Sequence, residues 1–368
     1  MIAARADVVG SLLRPPELLR AREGLTAGRL DRAAFKAIED RAVDRCVAMQ
    51  EAAGLQVVTD GEMRRLSFQS QLAQAVDGFG EWNIDAFLWG DWHGDAGDRR
   101  RPRPPELGVV AKLERRRHLS AEEFTYLRAR TGRTPKVTLP SPSLFANFWS
   151  PERSRDAYPR LDDFLADVTQ LLCQEVAELV RLGATYIQID APHYPLLIDP
   201  RTRGFYESRG WTIAQWLDFG IALDNELIGA APYHVTFAFH LCRGNQGSRW
   251  LAEGGYEMIA RPIFRRIAAT RLMLEYDDAR SGGFEPLADV PEDKTVVLGL
   301  MTTKRPDLET VAELTQRIAA AARHLPLDRL AISPQCGFAT SILGNDLTID
   351  DQRKKLEVLC ETARRVWG

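Results

Sequence analysis

Four residues scattered along the chain carry metal-ligating chemistry: His240 and Cys242 in FAFHLCRGN, Glu275 in LMLEYDD and Cys336 in ISPQCGF. Imidazole, thiolate and carboxylate are all zinc donors, and soft thiolates with imidazole select zinc over magnesium or calcium. Each of the four lies at or just past the end of a short apolar run of strand type, so a barrel that gathers strand ends would converge them. His240 and Cys242 stand two apart and share one face of an extended strand. With Glu275 as a displaceable fourth donor, such a site would admit a thiol and lower its pKa until sulfur is a nucleophilic thiolate at neutral pH. That chemistry is alkyl transfer to sulfur. The competing readings are structural: a core-facing His-x-Cys pair, a buried inert thiol at Cys336, and an ion pair of Glu275 with Arg271 or Arg280. Cys46, Cys173 and Cys360 fall within amphipathic helical patterns and read as packing residues.

Three further strand ends carry polar groups. Gly10 and Ser11 follow the first, where free backbone N–H groups can grip a carboxylate or simply form a turn. Asp60 and Glu62 follow the second and Asp190 and His193 the fourth; acids facing a cavity can bind a substrate ammonium, or pair with Arg64 and Arg65 instead. His193 is the candidate acid–base residue, with hydrogen-bonding support as its alternative. Arg243 and Asn245, beside the metal pair, suit a substrate anion or a supporting role. His93, His118, His234 and His324 carry no assigned chemistry. No P-loop or G-x-G-x-x-G fingerprint is present.

The elements that must position these groups alternate regularly. Eight β-rich runs, ADVVGS, LQVVTDGE, KVTLPSP, TYIQIDAP, HVTFAFHLC, RLMLEYD, TVVLGLMTT and RLAISPQC, are separated for the most part by helical patterns such as LDDFLADVTQLLCQEVAELVRLGA. That alternation predicts a TIM (β/α)8 barrel with the polar strand ends on its active face. The chain, residues 1–368, reads as one domain. A segment from about 80 to 135, with a short helix in SAEEFTYLRAR, breaks the rhythm and reads as an insertion after the second strand. Its Trp82, Trp89 and Trp92 would cover a pocket or mediate a homodimer.

A net charge of −3, with basic residues concentrated only at Arg99 to Arg103, favours a small-molecule partner over nucleic acid or an anionic membrane. No stretch is apolar enough for a signal peptide or membrane span, and five irregularly spaced cysteines do not form a disulfide framework. A cytoplasmic protein is expected.

With these residues in view the chain resembles the catalytic C-terminal domain of cobalamin-independent methionine synthase, and more closely its short single-barrel relatives. VVGSLLRP, VTDGEMRR, YIQIDAPHY, HLCRGN, LEYDD, LGLMTTK and ISPQCGF occur in the family's order over nearly the whole length. The resemblance implies a TIM barrel, zinc held by His240, Cys242, Glu275 and Cys336, and an amino-acid part of homocysteine held by Ser11, Glu62 and Asp190. It also implies methyl transfer from a folate to the thiol. The N-terminal half of the full-length synthases has no counterpart in this chain. The chain also reads Leu300-Met301-Thr302-Thr303-Lys304 where those enzymes place a histidine proton donor. Proton supply then falls to His193, Lys304 or water, or the donor is not a methylfolate. The alternatives are zinc-dependent alkyl transfer to another thiol, as in the relatives that add coenzyme M to epoxides, the reverse thioether cleavage, or a non-catalytic zinc- or thiol-binding protein.

Overall fold

A computed structural model describes residues 2–80, 84–208 and 210–368. Its centre is a parallel sheet in which Val137–Pro140, Tyr186–Asp190, Thr236–Leu241, Arg271–Glu275, Thr295–Met301 and Leu330–Pro334 pair in chain order. All but Thr295, at the start of its strand, are buried, as expected of a parallel sheet covered on both sides. The first two expected strands are shorter. Val57–Val58 pairs with Thr134–Pro135, just ahead of Val137–Pro140, and the ADVVGS run contributes a parallel bridge from Ala6 to Ile332. The amide of Asp7 donates to Ile332 and that of Leu12 to Gly61, so this run lies between the last strand and the 59–62 turn. The ladder itself is not closed: it comprises the six strands and the separate short pair.

The helices follow from local sequence. Leu161–Arg181 buries Leu161, Phe164, Leu165, Val168, Leu172, Val176 and Leu179, one face at spacings of three and four. Arg32–Ala53 starts where the Asp31 side chain accepts from the Ala34 amide at 2.7 Å and stops at Gly54, whose φ of 98° suits glycine. Capping boxes at Thr212, Thr310 and Thr348 start three more helices. Among the described residues no helix is long and apolar enough to cross a membrane.

Inside the sheet, Val9, Val57, Tyr186, Ala238, Met273, Val297 and Ala331 form a compact apolar cluster. A charged group is sealed beside it: Lys136 Nζ lies 2.9 Å from Asp7, whose other oxygen accepts from Tyr186 at 2.5 Å and faces Arg271 at 3.5 Å. Such burial is tolerable only because each charge is paired.

The segment between Val58 and Thr134 holds two antiparallel pairs, Val76–Phe79 with Val109–Arg115 and Gly90–Trp92 with Arg99–Arg101, and the helix Ala121–Arg128. Reciprocal backbone hydrogen bonds of 2.8 Å join His93 to Trp250. They pin the second hairpin over the loop that follows His240 and Cys242, which decides the face this segment covers.

Candidate metal centre and substrate cavity

His240 is the last residue but one of its strand and is buried, Cys242 stands just past the strand's end, and Cys336 stands two residues beyond Leu330–Pro334. Parallel pairing puts these ends on the same side of the sheet. Their ligand atoms all lie within 4.8 Å of one another, and the Cys336 thiol is 3.8 Å from the Cys242 sulfur. Two thiolates at zinc's usual bond length, set at a tetrahedral angle, stand about 3.8 Å apart, so the spacing suits the ion. Both ring nitrogens of His240 are buried without a protein partner. A buried imidazole with no partner is a costly arrangement unless something occupies it. The three residues therefore fit zinc.

The electrostatics agree. The hydrogen bond from the Cys336 thiol, followed by the attraction of His240, holds the Cys242 pKa well below the ordinary thiol value against the opposing effect of burial. The same hydrogen bond, with burial, pushes Cys336 well above it. Opposite shifts of this kind are what two closely spaced acids show.

Glu275 lies outside this threesome. Its Oε2 accepts from the Arg243 amide at 2.6 Å, and its Oε1 faces Arg280 at 3.0 Å and Lys304 at 3.2 Å. Burial alone would raise its pKa, but Lys304, Arg280 and Arg243 outweigh it and leave a carboxylate well below the usual range. Lys304, in the segment where the resemblance leads one to look for an acid, is committed to Glu275 and to Asp277 at 3.4 Å.

A cavity of about 610 Å³ opens on His240, Cys242 and Cys336 and is lined as well by Ser11, Glu62 and Asp190. Glu62 sits in the left-handed region at φ 54°, a conformation a non-glycine residue adopts at a cost of about 1 kcal/mol or more. Its Oε1 accepts from Thr138 at 2.8 Å and pairs with Arg65 at 3.3 Å, while its buried Oε2 has no protein partner. The Asp60 carboxylate accepts from the Glu62 amide at 2.9 Å. Burial, first among its causes, pushes Asp190 up to about 7. Ser11 is held close by Gly337: a Cβ on that glycine would fall 2.0 Å from the Ser11 Oγ and 3.2 Å from its backbone nitrogen. Gly337→Ala is therefore expected to push Ser11 off the cavity wall, destabilising the fold by about 1–3 kcal/mol as read from the denaturant midpoint.

His193 is not among the residues lining the cavity. It is fully buried, with Nε2 2.8 Å from the Ser143 hydroxyl and its ring 4.2 Å from that of Tyr194. Burial lowers its pKa to about 3, so the ring is neutral at physiological pH. Arg243 is buried and engaged with backbone carbonyls, whereas Asn245 lines the cavity. Arg243 donates to the carbonyls of Gly254, Glu275 and Ser281, and Asn245 ties its own loop to that of Cys336 through Gly337 O at 2.8 Å.

The mouth is built from Trp89 and Trp92, which the sequence had offered as cover for a pocket, and from His93 and Arg99 to Arg103, to which it had assigned no chemistry. Trp92 is buried and donates to Leu88 O, and Trp89 packs at 4.6 Å from Phe205. Trp82 lies outside the described residues. Gln188 and Lys136 were likewise missed; the alternation of Gln188 with Asp190 on one strand face was the available signal.

Fold and site together define an α/β protein of barrel type with a sulfur- and nitrogen-rich cluster at its strand ends. The chain belongs to the family described as cobalamin-independent synthase, catalytic domain, which matches residues 5–358. This is a methyltransferase family of methionine synthase type. The chain is 34% identical to the uncharacterized protein YxjG of Bacillus subtilis, across 99% of this chain and 94% of that protein. It is 26% identical to methionine synthase of Pyrococcus abyssi, across 90% of this chain and 85% of that protein. A B12-independent methionine synthase from Shewanella sp. W3-18-1, solved in complex with selenomethionine, superposes with a TM-score of 0.74 at 20% identity, covering 100% and 98% of the two chains.

Proposed function

We propose that this protein is a zinc-dependent methyltransferase that activates a thiol, homocysteine, and methylates it. The observation that carries this reading is that His240, Cys242 and Cys336 open onto the same cavity as Ser11, Glu62 and Asp190. Zinc bound by His240, Cys242 and Cys336 would lower the pKa of a thiol and orient it. Glu275, anchored to Arg280 and Lys304, is the donor most readily left off. Ser11 and its neighbouring backbone amides hold the substrate carboxylate, while Glu62 and Asp190 hold its ammonium. The thiol gives its proton to solvent before attack, a sulfur lone pair forms the new S–C bond, and the bond from the methyl carbon to its donor breaks with both electrons going to the donor atom. His193 is neutral and turned to Ser143, so it supports the cavity wall, and water at the mouth reprotonates the leaving atom.

The same reading makes residues 1–368 one zinc-dependent (β/α)8 domain with the segment around 80–135 inserted after the second strand. It acts in the cytoplasm on a small-molecule thiol and a methyl donor, without nucleic acid or membrane. A homodimer is compatible with it.

Zinc-loaded protein incubated with homocysteine and methylfolates should form methionine, detected by mass spectrometry, and chelation should abolish the product until zinc is restored. Absence of methionine from protein of verified zinc content would rule out this donor–acceptor pair and favour another alkyl donor or thiol. Glu62→Gln and Asp190→Asn are expected to raise KM for homocysteine about 10- to 100-fold, as loss of a charge-assisted hydrogen bond requires. Unchanged KM in both variants would remove the ammonium-binding role.

A further inference from the structure

Asp190 can serve as a substrate anchor only if its carboxylate is held in one orientation, and the strand that carries it contains the means. Gln188 precedes it by two residues and projects from the same face; both are buried. The Gln188 Nε2 donates to Asp190 Oδ1 at 2.7 Å. The Gln188 Oε1 accepts from Lys136 Nζ at 2.8 Å. The remaining protons of Lys136 are directed at Asp7 Oδ1, 2.9 Å away, and at the carbonyl of Val8.

These contacts determine which way the amide points. An ammonium has only donors, and the ionised form of Asp190, the form that accepts a substrate ammonium, has only acceptors. Flipping Gln188 would set its NH2 against the ammonium and its carbonyl against the carboxylate, two repulsive contacts in a buried site where unmet polar groups are most costly. Asp190 Oδ1 is thereby engaged from behind. Its other oxygen has no hydrogen-bond partner among the described residues, and Asp190 lines the cavity.

We infer that Gln188 and Lys136 are positioning residues that fix Asp190 as a cation acceptor and so make the cavity selective for thiols bearing an ammonium. This rests on the reading of Asp190 as part of the substrate site. Lys136 also balances Asp7, so Gln188 is the cleaner position to test: its replacement leaves Asp7 with Lys136, Arg271 and Tyr186.

The test compares homocysteine with 4-sulfanylbutanoic acid, the same thiol without the amino group, by calorimetric titration of zinc-loaded wild type and Gln188→Met. The wild type should prefer homocysteine by about tenfold or more. In Gln188→Met that preference should fall to about threefold or less, with the affinity for 4-sulfanylbutanoic acid nearly unchanged, a split that general loosening of the fold would not produce. Gln188→Leu replaces it should the methionine variant fail to fold. A folded variant that keeps the wild-type preference, or loses affinity for both thiols equally, overturns the positioning role. Absence of any preference in the wild type overturns the ammonium-bearing substrate itself and is distinguishable because it appears without a mutation.

Discussion

Cys336→Ser is expected to lose zinc and, with it, methyl transfer. A serine oxygen at this position is a poor replacement for a soft thiolate donor. The site has little to compensate with, because among the described residues only His240 and Cys242 share the cluster and Glu275 is bound to Arg280 and Lys304. Loss of supporting groups around a metal ordinarily costs about 10- to 100-fold in affinity, so loss of a direct ligand should reach or exceed the upper end of that range. Methylation should fall on the order of 1000-fold, equivalent to about 4 kcal/mol of barrier. Zinc content after dialysis and the rate of methionine formation check the two parts. A variant that keeps a full equivalent of zinc and wild-type turnover would remove Cys336 from the site.

The second large effect concerns stability. Glu275→Gln is expected to lower the unfolding free energy by about 3 kcal/mol or more, the usual cost of removing one partner of a buried ion pair. Glu275 is wholly buried and its carboxylate meets two cationic side chains directly. A neutral amide would leave Arg280 and Lys304 to Asp277 and Asp278 alone, and would turn at least one N–H toward a donor. Urea denaturation at neutral pH should show the midpoint shift with little change in slope. A shift within about 0.5 kcal/mol, the range of ordinary surface substitutions, would mean that the cluster is solvated and the carboxylate has no structural role. Zinc titration of the same folded variant separates this structural role from direct ligation.

Local rules explain why so much was visible before folding was considered. Period-two alternation placed His240 and Cys242 on one face, and residue type identified the soft donors. The alternation of strand and helix implied the parallel sheet. The first two strands were overread because an apolar run states that a segment is buried, while its pairing depends on neighbours far away in the chain. The family membership agrees with the motifs from VVGSLLRP through ISPQCGF.

What the amino-acid order determined by itself was the set of reactive groups and their positions at strand ends. The direction each group faces was decided by tertiary packing. His193 and Asp190 lie three residues apart, yet one is sealed against Ser143 and Tyr194 while the other lines the cavity. Glu275 occupies the same kind of strand-end position as His240, Cys242 and Cys336, but cations brought in at Arg280 and Lys304 hold its carboxylate. Trp89, Trp92 and Arg99 to Arg103 become the cavity mouth only because their hairpin pairs with Trp250, a contact across more than 150 residues. Side-chain period and donor chemistry act over a few residues and can be read in order. Burial, charge pairing and the direction of a carboxylate depend on which distant segments pack against it.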